Sequence, residues 1–310
     1  MYLKGIISFK KGILCKQEVL GKSYQGKISN IDVNISFPFV SIKNDGDSMN
    51  LVGMGNPLKA PHNGKNLKHG DEPVFWGYPM SFPTMNSFVK CVLIEAQLCE
   101  NQQPQELYDH IGQWQHSVVT YCELLSKQHF ERKNILLNDS NVLELISEKG
   151  YIQNNAPQRI SGTIHSSSEF VSELQIREAI NFASSNKELF LEYQMLLSAY
   201  ESTKHNHNRQ AIIDACSATE IVLIKVIQDF CNKKGIDSEI LISKYRSLGE
   251  RFDLVKKLDN SFPNIDYKND IVKYRNDVAH NRNVYPSNGQ TDTLISAVEQ
   301  LLAHYHKNYY

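Results

Sequence analysis

From Lys187 to the C-terminus, apolar residues recur at three- and four-residue steps. That period constrains the fold more than any other feature of the chain. Leu189, Tyr193, Leu196, Leu197 and Tyr200 make one stripe. A longer one runs from Ala211 to Phe230 through Ala215, Ala218, Thr219, Val222 and Val226, with Gly235 placed to end it as a C-cap. Residues 248–258, 270–280 and 291–304 read as three more helices. A helix with one apolar stripe must bury it against neighbours. Short polar connections therefore predict an antiparallel bundle over residues 187–310.

The first part of the chain carries a different period. Gly5-Ile6-Ile7-Ser8-Phe9 reads as a strand, with Lys10-Lys11-Gly12 as a turn. Ile31, Val33, Ile35 and Phe37 alternate with polar residues and fall on one face of a strand. Residues 88–94 are the next apolar run. Glycines and prolines concentrate between Asn44 and Pro83, which predicts a long loop-rich stretch. Within it, Phe75-Trp76-Gly77-Tyr78 is an aromatic cluster on a loop, read as a core plug rather than a base-stacking platform. Leu107, Ile111, Trp114, Val118, Tyr121 and Leu125 predict a helix over residues 105–129. A short helix over residues 141–148 and a strand over residues 160–164 complete the reading. The fold class is α+β: a β-rich N-terminal domain, residues 1–180, followed by an all-α bundle, residues 187–310.

Charge excludes one class of function. The chain has 33 Lys+Arg against 34 Asp+Glu. Binding nucleic acid by bulk charge alone is therefore ruled out, and any such function needs a local site. No uncharged apolar run approaches the ~20 residues of a membrane-spanning helix. Lysines interrupt the N-terminal apolar residues too early for a secretory leader. Six scattered cysteines without a C-x-x-C pair read as reduced, mostly buried thiols, and the cytoplasm is the expected compartment.

The word that carries chemistry is Tyr274-Arg275-Asn276-Asp277-Val278-Ala279-His280. At about 100° per residue, Ile271, Tyr274 and Val278 share an arc that faces the bundle core. Asn276 and His280 lie nearly opposite, and Arg275 flanks the core arc. Val272 and Ala279 are small apolar residues beside the polar face, which predicts a partner surface there. The residue types suit a phosphodiester. Arginine offers a planar, permanently charged fork for phosphate. Histidine moves protons near neutral pH. Asparagine orients either group. No acidic metal cluster stands beside them, so a reaction without a metal is the simpler expectation.

Arg275-Asn276-Asp277-Val278-Ala279-His280 resembles the R-x4-6-H signature of HEPN domains, in which asparagine usually follows the arginine. Its place late in a helical bundle, after a long helix containing Ala218-Thr219-Glu220, is similar to the family's order. So is the word Arg209-Gln210-Ala211-Ile212 leading into that helix. The resemblance covers residues 187–310. It implies a metal-independent endoribonuclease of toxin or phage-defence (abortive infection) type, cleaving RNA by attack of the 2′-hydroxyl on the adjacent phosphate. Carried over, Arg275 binds the scissile phosphate, His280 is the general acid or base, and Asn276 positions it. Glu220 is a supporting candidate, and equally an internal ion-pair partner. The resemblance also implies a homodimer through the helix at residues 270–280, with RNA as substrate and no cofactor. Gly5-Ile6-Ile7-Ser8-Phe9, then Gly12-Ile13-Leu14 and a strand-rich region, looks like the N-terminal domain of Apea-type HEPN phage-defence proteins. Such a domain would sense an unspecified trigger, restrain the nuclease or select its RNA.

Bland readings stand beside these. Arg275 would instead pair with Asp270 or Asp277, and His280 would favour a helix C-terminus. The bundle would then be a non-catalytic module that binds RNA, a nucleotide or a protein. His205-Asn206-His207 has no Cys or acid at zinc-ligand spacing and reads as a polar turn. His304 and His306 read as a solvated helix end. Gly53-Met54-Gly55-Asn56 and Gly64-Lys65 lack the spacing of a phosphate loop.

Overall fold

The computed structural model describes residues 1–42, 49–52, 68–69, 72–73, 76–79, 86–126, 146–147, 150–151, 170–280 and 285–305. These form two compact units, Met1–Lys187 and Glu188–Tyr310.

The first unit is built on an antiparallel sheet. Its strands are β1 (Tyr2–Cys15), β2 (Ser23–Ile28), β3 (Ile31–Ser36), β8 (Gly77–Pro79), β9 (Ser87–Gln97), β10 (Ile146–Ser147) and β11 (Gly150–Tyr151). The order is β11-β10-β1-β9-β3-β2, with β8 also paired to β9. Two separate hairpins join β4 (Phe39–Ile42) to β5 (Met49–Val52) and β6 (Lys68–His69) to β7 (Glu72–Pro73). The alternation in β3 sets its faces: Ile31, Val33, Ile35 and the following Phe37 are all buried, while Asp32 is exposed. β9 lies between β1 and β3, and Val92, Leu93 and Ile94 are buried in succession, as expected of a strand covered on both faces.

Helices α1 (Pro104–Ser126) and α2 (Glu173–Ser184) pack on each other and on the sheet. Tyr121 stacks on Phe182 at 4.7 Å between ring centroids, and the Gln115 side-chain amide donates to the Ser8 carbonyl at 2.7 Å. A capping box between Ser172 and Gln175 starts α2. Because α2 runs to Ser184, the unit reaches Lys187 rather than residue 180.

Three local expectations are corrected. Lys10-Lys11-Gly12 is no turn: β1 continues through it as a bulge, advancing from Ser8 to Ile13 while β9 advances only from Cys91 to Val89. Gly12 has φ +74°, and a Cβ there would lie 2.4 Å from the Phe88 ring. Ile146 and Ser147 form a strand, not a helix, because they pair with Leu3 and Lys4; the remainder of that expected helix lies outside the described residues, as does the strand expected at 160–164. Gly77 and Tyr78 sit on a strand edge of the sheet rather than on a loop.

The second unit holds α3 (Leu191–Lys204), α4 (Asn208–Lys234), α5 (Ser238–Lys244), α6 (Leu248–Leu258), α7 (Lys273–His280) and α8 (Asn288–Tyr305). α4 is its axis and touches the other five. It ends at Gly235 in the left-handed conformation, φ +66°. In its second half the buried line runs through Leu223, Ile227 and Cys231, while Val226 and Phe230 are only half-buried. α5 was not among the expected helices; none of its residues is buried, so it leaves no stripe to read. Glu192 of α3 and Lys225 of α4 form an ion pair at 2.7 Å, with the carboxylate fully enclosed. No helix among the described residues is long and apolar enough to cross a membrane.

Candidate functional site

Three helices bring charged side chains together. α4 contributes Glu220, at the middle of the helix. α6 contributes Arg251 from its first turn, where a capping box between Ser247 and Glu250 fixes the helix start. α7 contributes Arg275. Arg251 Nη1 lies 3.6 Å from one Glu220 oxygen, and Arg275 Nη2 lies 3.9 Å from the other. The Arg251 side chain is 14% exposed, Arg275 36% and Glu220 35%. The Arg251 Nε–H also donates to the Tyr245 carbonyl at 3.1 Å.

The neighbouring Cys216 is buried, and that burial pushes its thiol up to about 12. The Arg275 charge pulls against this shift and the Glu220 charge adds to it. The thiol is therefore protonated and forms an inert wall of the cluster.

The entry to α7 departs from a simple helix. Residues Lys268–Val272 form a π turn, closed by the Lys273 N–H on the Lys268 carbonyl. A π turn takes more residues than an α turn, so the arc calculated at a constant 100° drifts. Ile271 and Val278 are buried as expected, but Tyr274 is only half-buried. Val272 does not belong wholly to the open face either. It is half-buried, and a Cβ on Gly249 of α6 would lie 3.6 Å from it. The exposed residues of α7 are Lys273, Asn276, Asp277, Ala279 and His280. Arg209, in the first turn of α4, donates to the Val278 carbonyl at 2.6 Å and ties down the end of α7.

Of the sequence-derived candidates, Arg275 and Glu220 meet. Asn276 and His280 do not join them: both are exposed, and neither makes a hydrogen bond among the described residues. Five residues at 100° separate Arg275 from His280 by about 140° on the helix. One chain therefore presents the two groups in different directions. Arg275 contacts neither Asp270 nor Asp277 among the described residues.

No protein-family model, curated protein or solved structure matches the chain.

The residue that sequence reasoning passed over is Arg251. Its signal was present, since it stands three residues after Leu248 and four before Val255, both buried. A charge at such a position marks a polar site inside an apolar stripe. The other candidates sort as follows. His205 and His207 are exposed, with ring centroids 6.2 Å apart. His304 lies 3.7 Å from Asp259. The glycine words at 53–56 and 64–65, Phe75 and His306 lie outside the described residues.

Proposed function

We propose that the second unit is a HEPN-like bundle acting as a metal-independent endoribonuclease, with the first unit as its regulator. The protein is a cytoplasmic toxin or abortive-infection effector in this reading. One observation carries it: the Arg275 guanidinium is open to solvent and spends none of its N–H donors on a hydrogen bond among the described residues. A guanidinium in that state can take a phosphate oxygen and stabilise its developing charge. His280, exposed at the end of the same helix, moves the protons, and Asn276 orients it. The 2′-hydroxyl of RNA attacks the adjacent phosphorus. The 5′-oxygen leaves with a proton, giving a 2′,3′-cyclic phosphate end. The wide angle between Arg275 and His280 favours a site completed across a two-fold axis, each copy offering one group to the other.

A second reading is favoured by the Glu220 contact, which gives Arg275 an internal partner. The bundle is then a non-catalytic module that binds RNA, a nucleotide or a protein. Purified full-length protein incubated with total RNA in EDTA separates the two. Cleavage should persist in EDTA and spare DNA. His280→Ala should lose roughly a hundredfold or more. Arg275→Lys should fail as well, because a point ammonium does not reproduce the fork. Wild-type cleavage rates in a well-folded His280→Ala, or arrest by EDTA, would overturn the ribonuclease.

A further inference from the structure

Arg251 occupies a position that the packing of α6 reserves for an apolar side chain. Leu248 and Val255, its neighbours on the stripe, are buried. Its side chain is only 14% exposed, so most of it has left water. Burying a charge is costly unless good partners replace the lost hydration. The partners here are incomplete. Glu220 stands 3.6 Å from Arg251 and 3.9 Å from Arg275, beyond the roughly 2.7–2.9 Å of a direct charge-assisted hydrogen bond. Neither arginine therefore closes a fork on the carboxylate. A guanidinium carries five N–H donors. Arg251 spends Nε on the Tyr245 carbonyl, and its Nη groups make no hydrogen bond among the described residues. A purely structural role accounts for the Nε bond and leaves the other donors unexplained. Two guanidiniums against one carboxylate also leave the cluster net positive.

We propose that Arg251 is a second phosphate-contacting residue, so that Arg251 and Arg275, held on Glu220, form one anion site for neighbouring phosphates of a single RNA strand. The choice of RNA rests on the ribonuclease reading; the anion chemistry rests on the cluster. Glu220 is the counter-ion shared by the two guanidiniums and lowers their joint attraction for phosphate.

The test uses full-length protein and a fluorescein-labelled oligothymidylate, which lacks the 2′-hydroxyl and so resists the proposed cleavage. Binding is followed by anisotropy across a salt series. Arg251→Gln should bind roughly tenfold more weakly, and its plot of log K against log salt should be shallower by about 0.7, the value of one phosphate contact on a single strand. Arg251→Lys keeps the charge and should restore the slope. Glu220→Gln is isosteric, removes the negative charge, and should tighten binding several-fold.

Arg251→Gln that melts like wild type and keeps the wild-type slope overturns the proposal. Should Arg251→Gln fail to fold, Glu220→Gln decides: binding no tighter than wild type overturns it. Wild-type protein that does not bind the probe also overturns it. RNA cleavage is scored separately. Cleavage with an unchanged slope in Arg251→Gln defeats the site and leaves the ribonuclease. The expected slopes without any RNA cleavage support the site and defeat the ribonuclease.

Discussion

Replacing Lys225 by Met takes the cation away from an enclosed carboxylate. Glu192 is fully enclosed, and both of its oxygens accept from the Lys225 ammonium, at 2.7 and 2.8 Å. Removing one member of a fully buried pair costs about 3–5 kcal/mol, because the remaining charge stays out of water; Lys225 is 38% exposed and Glu192 keeps a further contact, so the loss here lies below that range. Protonation sets a ceiling on that cost. A glutamate titrates near 4.3 when unfolded, and each pH unit is worth about 1.4 kcal/mol, so neutralising it at pH 7 costs about 3.7 kcal/mol. At pH 5 the same step costs only about 1 kcal/mol. The sign follows directly. Without the ammonium, burial raises the folded pKa of the acid above its unfolded value, so its penalty grows as pH rises above about 4.3 and shrinks as pH falls. A smaller, pH-independent loss comes from the cation–π contact of Lys225 with Phe190, 4.7 Å from ammonium to ring centre, worth about 0.5–1 kcal/mol. Melting of the second unit by calorimetry should therefore drop by several degrees at pH 7, and by much less at pH 5. The double variant Glu192→Gln, Lys225→Met should melt above Lys225→Met at pH 7. Equal losses at pH 5 and pH 7 would refute the role given to the enclosed carboxylate.

Two further outcomes are expected. Asp259 accepts from the Ser261 hydroxyl and backbone N–H and from the Tyr305 hydroxyl, and these bonds hold its carboxyl below the ordinary value. Its stabilising effect is complete above the unfolded pKa and fades as pH falls through the lower folded one, so acid titration of Asp259→Asn should show a flatter loss of stability below about pH 4 than wild type. The exposed Asn276, Ala279 and His280 of α7 should meet their copies across a two-fold axis, so light scattering at micromolar concentration should give twice the monomer mass; monomer with full ribonuclease activity would refute the shared site.

What the sequence reveals depends on whether a feature alters the apolar period. β3 was legible because Ile31, Val33, Ile35 and Phe37 leave no other face to bury. The limits of α6 were legible because its stripe begins and ends sharply at Leu248 and Leu258. The bulge in β1 was not, since Lys10-Lys11-Gly12 has the same composition as a turn, and pairing with β9 across Gly12 decides the matter. The π turn was invisible for a related reason: one surplus residue changes rotation, not composition. Within the candidate site, Arg275 and Glu220 could be named from the motif and the long helix. Arg251 was passed over although its signal was there, because counting apolar residues skips the charge that interrupts them.

The helix that carries Arg275 and His280 is the shortest but one in its unit. α7 has eight residues, of which only Val278 is fully buried. An isolated helix of that length does not persist in water. It is ordered from outside, by Ile271 seated ahead of it and by Arg209 gripping the Val278 carbonyl behind it. Its amide protons should therefore exchange through a local opening of lower free energy than that of α4, whose buried line runs from Ala211 to Cys231. In that opening Arg275 leaves Glu220 while the rest of the bundle stays folded. Anything that grips or frees the two anchors of α7 adjusts how often Arg275 and Glu220 are brought together, without altering either residue.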